Sequence, residues 1–266
     1  MRKLGYAAFS IQMNLIGSTW SKFGAEYDLP ENEVHVWRSS LDMAPSGLSK
    51  LRQILAPDER ERADRFRFEI DRRRSVVGRG YLRSLLGRIL GSPPETLEFE
   101  YDEFGKPCLS AKHPALQFNL SHSGNLVLIA IAWGRAVGVD VERIRTDLEL
   151  DEIAARFFSA NECKLLASLV GPARYLAFFT CWTRKEAYLK ARGIGLSSRL
   201  DQFDVSFLPH EEPRLLVTRN DPAEAKRWRL AALDPSSDYA AALAVAGDQW
   251  MLKCWDWNQE LSVHWP

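Results

Sequence analysis

Two turns that join small residues to an acid, Ala56-Pro-Asp-Glu59 and Ser159-Ala-Asn-Glu162, stand 103 residues apart. Each suits the start of a short helix, where a proline or capping serine and an early carboxylate satisfy the free amides and the positive end of the helix dipole. Each is followed by a helix of about 20 residues closed by glycine. The first is expected over Glu69–Leu90, where Leu82, Leu85, Leu86 and Ile89 recur at helical spacing before Gly91; the second runs from Pro172 to Arg192, before Gly193 and Gly195. Strand-like segments lie before and after both. A chain with this repeated order of parts is expected to fold as α+β, in two similar halves that divide near Gly134-Arg135 into subdomains 1–135 and 136–266.

Between the helices the hydrophobic period falls to two. Val34 and Val36 alternate with polar residues within Glu33–Arg38, and Leu97–Tyr101 alternates likewise. Phe118–Leu120, Leu126–Trp133 and Val137–Val141 read as a small antiparallel sheet, the last two strands joined at Gly134-Arg135. Five more strand-like pieces follow the second long helix: Phe203–Leu208, Arg214–Thr218, Trp228–Ala232, Tyr239–Ala246 and Met251–Asp256. Pro45-Ser-Gly47 reads as a turn, with a helix from Leu48 that places Leu48, Leu51, Ile54 and Leu55 on one face.

Charge excludes some functions. Lys and Arg total 35, as do Asp and Glu, so no global field favours nucleic acid or a membrane surface. The balance is local: 19 basic residues stand against 16 acidic before Gly138, and 16 against 19 from it onward. A site at the junction would then hold an anion from one side and a cation from the other. The longest apolar run, Leu126–Trp133, is far short of the roughly 20 residues that span a bilayer. Arg2 and Lys3 precede an apolar stretch broken by Gln12 and Asn14 with no cleavage site after it, so no signal peptide is expected. The four cysteines form no C-x-x-C pair, which points to reduced thiols in a cytoplasm and to neither zinc nor disulfides.

Within Val137-Gly-Val-Asp-Val-Glu142 the alternation sets Gly138, Asp140 and Glu142 on one strand face, and the missing side chain at 138 lets another group approach the backbone. The simpler reading of such a pair of acids is a solvated strand edge. In the second long helix, Tyr175, Phe179, Trp182 and Leu189 form an apolar stripe, and Glu186 occupies a position on it. Glu186 and Lys190 are also four apart, the spacing of a surface ion pair. That spacing leaves the stripe unexplained, because an inward carboxylate must be paired or bound to a cation. Asp140, Glu142 and Glu186 together suit Mg²⁺, which prefers a few carboxylates with water and substrate phosphate. Between Glu59 and Arg88 lie ten arginines and no lysine, against five acids. Many fit helix-surface ion pairs, yet guanidinium also binds phosphate in bidentate fashion, and Arg74 and Arg83 stand out. Asn119-Leu-Ser-His-Ser123 gathers small hydrogen-bonding groups suited to a phosphate or a base.

Taken in order, Phe118-Asn-Leu-Ser-His-Ser-Gly124, Gly138-Val-Asp-Val-Glu142 and Trp182-Thr-Arg-Lys-Glu-Ala187 with Lys190 resemble the 4'-phosphopantetheinyl transferases of the surfactin type. The likeness extends to Pro57-Asp-Glu-Arg-Glu-Arg-Ala-Asp-Arg-Phe66, Arg74 before Val76-Val-Gly78, Gly105-Lys-Pro107 and Arg156-Phe-Phe-Ser159. It implies a monomer of two pseudo-twofold-related halves with coenzyme A in the cleft between them. It further implies that Asp140, Glu142 and Glu186 bind Mg²⁺ with the pyrophosphate and that Lys190 meets the phosphate. By the same resemblance His122, Arg74 and Arg62 hold the 3'-phosphate, Ser121 and Lys106 lie near adenine and pyrophosphate, and Glu162 helps deprotonate the attacking serine. The implied reaction moves the phosphopantetheine arm of coenzyme A to a serine of an apo acyl or peptidyl carrier protein and releases adenosine 3',5'-bisphosphate. Two other readings remain open on sequence alone: a non-catalytic module that binds coenzyme A or a carrier protein, and a Mg²⁺-dependent phosphodiesterase or nuclease. The neutral net charge disfavours the last.

Overall fold

The computed structural model describes residues 18–22, 27–110, 113, 115–195 and 199–257. The segment examined for a signal peptide lies outside the described residues. In chain order the elements are β1 (Trp20–Lys22), β2 (Glu33–Ser40), α1 (Pro45–Gln53), α2 (Pro57–Asp64), α3 (Glu69–Leu90), β3 (Phe99–Tyr101), β4 (Pro107–Leu109), β5 (Leu116–Ser123) and β6 (Leu126–Trp133). There follow β7 (Val137–Arg143), α4 (Leu150–Phe157), α5 (Ala160–Ala167), α6 (Pro172–Arg192), β8 (Phe203–Val205), β9 (Leu215–Thr218), β10 (Trp228–Leu233), β11 (Tyr239–Ala246) and β12 (Met251–Asp256). The order strand, two short helices, long helix, two-stranded ribbon and paired strands occurs twice. Both long helices end on a left-handed glycine, Gly91 at φ 60° and Gly193 at φ 69°.

The strands form two main sheets. One runs β1-β12-β2-β6-β5, the other β10-β11-β7, with β3-β4 and β8-β9 as separate ribbons. The strict alternation of the strands then builds four layers. Trp37, Ile129 and Phe118 of the first sheet pack under α1–α3, with Leu51, Leu82 and Leu86. Ala240, Ala242 and Ala244 of the second sheet pack under α4–α6, with Phe178, Tyr188 and Leu189. The opposite faces meet each other: Val34, Val36, Leu128 and Ala130 of one sheet against Val137, Val139, Val141 and Leu243 of the other. Helices therefore cover the outside and the sheets share an apolar middle.

Two expectations change. The segments at 118, 126 and 137 do not make one sheet, because β6 pairs with β2 and β5, whereas β7 pairs with β11. Gly134, at φ 65°, turns the chain from one sheet to the other. Pro45 begins α1 at its first position instead of making a separate turn, a position that tolerates a missing amide. β12, from the C-terminal part of the chain, pairs in parallel with β2 and β1 and so joins the first sheet.

The two halves share a buried device. Glu59 accepts the Ala56 amide at 2.9 Å, closing the N-terminus of α2, and is paired with Arg79 and with Arg83, the latter at 2.5 Å. Arg83 also donates to the carbonyls of Pro94 and Leu97. Glu162 accepts the Ser159 amide at 2.9 Å and pairs with Lys185 at 2.7 Å, and Lys185 donates to the carbonyls of Leu200 and Phe203. Each acid thus binds a short helix to the long helix, and the cation binds the long helix to the following loop. Arg83, one of the two arginines that stand out in the sequence, is consumed in this way and is buried.

One residue sets how closely α6 lies on the second sheet. A Cβ at position 138 would overlap the carbonyl oxygen of Ala187 and the amide nitrogen of Ala191, and would stand 2.8 Å from the Ala191 Cα. All three are helix backbone atoms, which cannot rotate aside. Gly138→Ala should therefore push α6 off β7 and cost about 3 kcal/mol of stability. Urea unfolding would measure it, and an unchanged midpoint would contradict the close approach.

Candidate active site

The face of β5 meets an edge of β7. Among the described residues β7 has β11 on one side only, so on its other side the amides of Val139, Val141 and Arg143 need partners that no described strand supplies. Side chains from alternate positions of β5 accept them. Asn119 Oδ1 takes the Val139 amide at 2.9 Å, Ser121 Oγ the Val141 amide at 3.4 Å and Ser123 Oγ the Arg143 amide at 3.0 Å. A serine hydroxyl has one proton, and when its oxygen accepts an amide that proton is aimed elsewhere. Ser121 donates to Asp140 Oδ1 at 2.9 Å, and Ser123 donates to Glu142 Oε2 at 2.7 Å. One ladder joins the sheets and orients both carboxylates. Asn119, Ser121 and Ser123 are thus spent on β7 rather than open to a phosphate or a base.

α6 supplies the other two groups. Lys190 donates to Asp140 Oδ1 at 2.6 Å and to Ser121 Oγ at 2.9 Å. Glu186, one turn earlier and buried, shares the space with Asp140 and Glu142. Burial, and then the charges of Asp140 and Glu142, push the Glu186 carboxyl up to about 7 against the pull of Lys190. Glu142 is raised as well, first by burial and then by Asp140, although the Ser123 hydrogen bond opposes this. Three carboxylates share this space, and Lys190 is the only cation in contact with one of them among the described residues.

The residues present fit a hard divalent cation. Asp140 Oδ2 and Glu186 Oε1 are buried without a hydrogen-bond partner, an arrangement that is costly unless a further group meets them. The donors are all oxygen, as Mg²⁺ prefers. Among the described residues no three Asp, Glu, His or Cys side chains stand in ligating geometry, and Lys190 holds one oxygen of Asp140. What the cluster offers is two open carboxylate oxygens beside a lysine.

The remaining expected residues are dispersed around it. His122 lies on the opposite face of β5 from Ser121, beside α3, and its ring is kept neutral first by desolvation and then by the charges of Lys190 and Arg74. Arg74 is half-buried and reaches Asn125 Oδ1 at 3.4 Å, while its Nε has no partner. Arg74, His122 and Lys190 thus put cationic or donor groups near one another, next to the acids. Lys106 lies in the β3-β4 turn and donates to the carbonyl of Lys190 at 2.7 Å, which ties that turn to the end of α6. Arg62 is exposed and lies 4.5 Å over the ring of Tyr101, with no described contact to the cluster.

Glu162 is a correction. It is 1% exposed, and both oxygens are occupied, Oε2 by the Ser159 amide and Lys185, Oε1 by the Val205 amide at 3.0 Å. A carboxylate so enclosed holds α5, α6 and β8 together and is not placed to take a proton from a substrate. Its partner Lys185 stands inside the Trp182–Ala187 motif, where the sequence assigns it no role. Ser123 has a role other than the one its motif suggests, and the signal for it is that Asn119, Ser121 and Ser123 repeat the two-residue step of Gly138, Asp140 and Glu142.

Residues 136–244 match the family described as the 4'-phosphopantetheinyl transferase superfamily, and residues 37–133 match the 4'-phosphopantetheinyl transferase N-terminal family. The 4'-phosphopantetheinyl transferase HetI of Nostoc sp. is 40% identical over 91% of this chain and 99% of its own length. The 4'-phosphopantetheinyl transferase Sfp of Bacillus subtilis is 30% identical over 72% of this chain and 83% of its own. The crystal structure of Thermotoga maritima holo-[acyl-carrier-protein] synthase shows a TM-score of 0.34 at 21% identity, over 42% of this chain and 62% of that one.

Two stability measurements test the site's electrostatics. Lys185→Met leaves Glu162 buried without its cation and should cost about 3–5 kcal/mol, most of it recovered in the double variant with Glu162→Gln. No recovery would contradict the pairing. Because the folded state raises the Glu186 pKa from 4.5 to about 7, folding favours the protonated acid. Metal-free stability should fall as pH rises between those values. Glu186→Gln should then stabilise the metal-free protein by on the order of 2 kcal/mol at pH 8.5 and hardly at pH 4. Equal effects at both pH values would show that the carboxyl is not crowded.

Proposed function

This chain belongs to the 4'-phosphopantetheinyl transferase superfamily, and from that premise we propose that it moves the phosphopantetheine arm of coenzyme A to a serine of apo acyl or peptidyl carrier proteins. The observation that carries the proposal is the convergence of Asp140, Glu142, Glu186 and Lys190, with two buried oxygens left open, beside Arg74 and His122. An acid cluster beside cations is the complement of a polyphosphate and its metal ion. It also explains why the enzyme needs no nucleophile of its own, since the substrate brings one.

In the proposed reaction the serine oxygen attacks the β-phosphorus of coenzyme A, and the bond from that phosphorus to the bridging oxygen breaks. Adenosine 3',5'-bisphosphate leaves with the bonding electrons, and the serine proton is lost to water or a carboxylate. Asp140 and Glu186, with Glu142 held by Ser123, would hold a Mg²⁺ ion, which when bound neutralises pyrophosphate charge and favours departure of the bisphosphate. Lys190, beside Asp140, would meet a phosphate oxygen, and Arg74 and His122 the 3'-phosphate, with Arg62 at the outer edge. Ser121 keeps Asp140 and Lys190 in place, and Lys106 keeps the β3-β4 turn against the cleft. With Glu162 enclosed, the proton acceptor falls to the cleft carboxylates acting through water. The two halves, 1–135 and 136–266, would act as one monomer with the substrate between them.

The test is to incubate the protein with coenzyme A, Mg²⁺ and an apo carrier protein and weigh the product. The wild type should add one phosphopantetheine arm. Asp140→Ala should lower the rate about a hundredfold or more while the unfolding transition stays cooperative. Near-normal transfer by that variant would remove Asp140 from the site. Binding of coenzyme A without any added mass would make the chain a binding module instead.

A further inference from the structure

Eight large hydrophobic side chains are exposed among the described residues, and three of them fall within five consecutive positions: Phe66 at 42%, Phe68 at 60% and Ile70 at 50%. They lie where α2 gives way to α3, and no residue from 64 to 70 is buried. Burying such side chains elsewhere would have been favourable, so a local cluster of them at a helix junction marks a contact surface.

The charge around the cluster describes its partner. Of the arginines beside it, Arg65 is paired with Glu61 and Arg72 with Glu69. Arg60, Arg62 and Arg67 have no ion pair among the described residues; Arg67 lies 5.5 Å over the Phe68 ring and Arg62 4.5 Å over Tyr101. Aromatic and apolar groups among unpaired guanidiniums suit an acidic surface with apolar side chains of its own.

Position relative to the cleft completes the argument. Ile70 and Arg74 are about one turn apart on α3, roughly 6 Å along the axis, and Phe68 is about 9 Å from Arg74 by the same rise. Arg74 and Asp71 both act on His122 at the cleft. A macromolecule that brings a serine to Asp140 must rest on the rim, and this is an apolar rim with free positive charge.

We infer that the α2–α3 junction, Phe66, Phe68 and Ile70 with Arg67, is a docking surface for the acidic carrier protein whose serine is modified. The inference rests on the transfer reaction proposed above and adds where the second substrate is held. An acidic, apolar helix face on the carrier would lie across Phe68 and Ile70, with Arg67 on its carboxylates.

The test measures transfer by the full-length protein with separately varied coenzyme A and apo carrier protein. Phe68→Asp should raise the KM for the carrier about tenfold or more and leave the KM for coenzyme A and kcat within about twofold. The fold should not suffer, since Phe68 is the N-cap of α3, where aspartate is favoured. Arg67→Glu should raise the carrier KM as well, by a factor that shrinks as salt is added. Unchanged carrier KM in both variants overturns the surface. So does a rise in coenzyme A KM instead, which would give the patch to the nucleotide. A wild-type dimer converted to a monomer by Phe68→Asp would give it to a second copy of the chain. If the wild type modifies no carrier, the reaction itself is wrong; if it does and these values do not move, the surface alone is wrong.

Discussion

An edge strand with no neighbour among the described residues decides where the acids point. The Val139, Val141 and Arg143 amides of β7 would be left unpaired beside another sheet, and each such amide is expensive to bury. Asn119, Ser121 and Ser123 accept them, and the proton geometry of the two serines then commits Asp140 and Glu142 to fixed directions. The interaction that joins the sheets is therefore the one that aims the acids. The hydroxyls come from one sheet and the carboxylates from the other.

The halves have the same order of parts but treat one strand face differently. Val34 and Val36 of β2 correspond by the 103-residue offset to Val137 and Val139 of β7, and all four pack between the sheets. On the opposite faces the correspondence breaks: His35 and Trp37 stand where β7 has Gly138 and Asp140. The first half fills that space with aromatic rings under its helices. The second half clears it, with glycine on β7 and Ala240, Ala242 and Ala244 on β11, so that α6 descends onto the sheet. Only that close approach brings Glu186 and Lys190 to Asp140. The shared buried pairs, Glu59 with Arg83 and Glu162 with Lys185, hold each long helix at its place and belong to architecture in both halves.

What sequence revealed follows from which signals are local. The long helices, their glycine ends and the two acid turns were all readable, because capping and periodicity act within a few residues. Gly138 was readable as a point of close approach, and the group that approaches is α6 itself. Strand partners were not readable. β6 and β7 adjoin in the chain and lie in different sheets, and β12 returns across the molecule to β2, since pairing depends on contacts far apart in sequence. The burial of Glu162, Arg83 and Lys185 in ion pairs was not readable for another reason. A charged residue on a helix reads as exposed until the oppositely charged partner that allows its burial is known. Strand alternation and the helix stripe made Asp140, Glu142 and Glu186 readable as an acid set, the family resemblance added the phosphate role of Lys190, and the geometry brings these four together while Glu162 lies enclosed elsewhere.

The central claim is that the two open oxygens, on Asp140 and Glu186, are where a divalent ion and the pyrophosphate meet. Anomalous diffraction from Mn²⁺ in crystals grown with coenzyme A tests it directly. The account predicts one strong peak in contact with Asp140 Oδ2 and Glu186 Oε1 and with the pyrophosphate, with Lys190 on a phosphate oxygen. A peak that touches neither carboxylate, or coenzyme A bound away from β5 and β7, would contradict it.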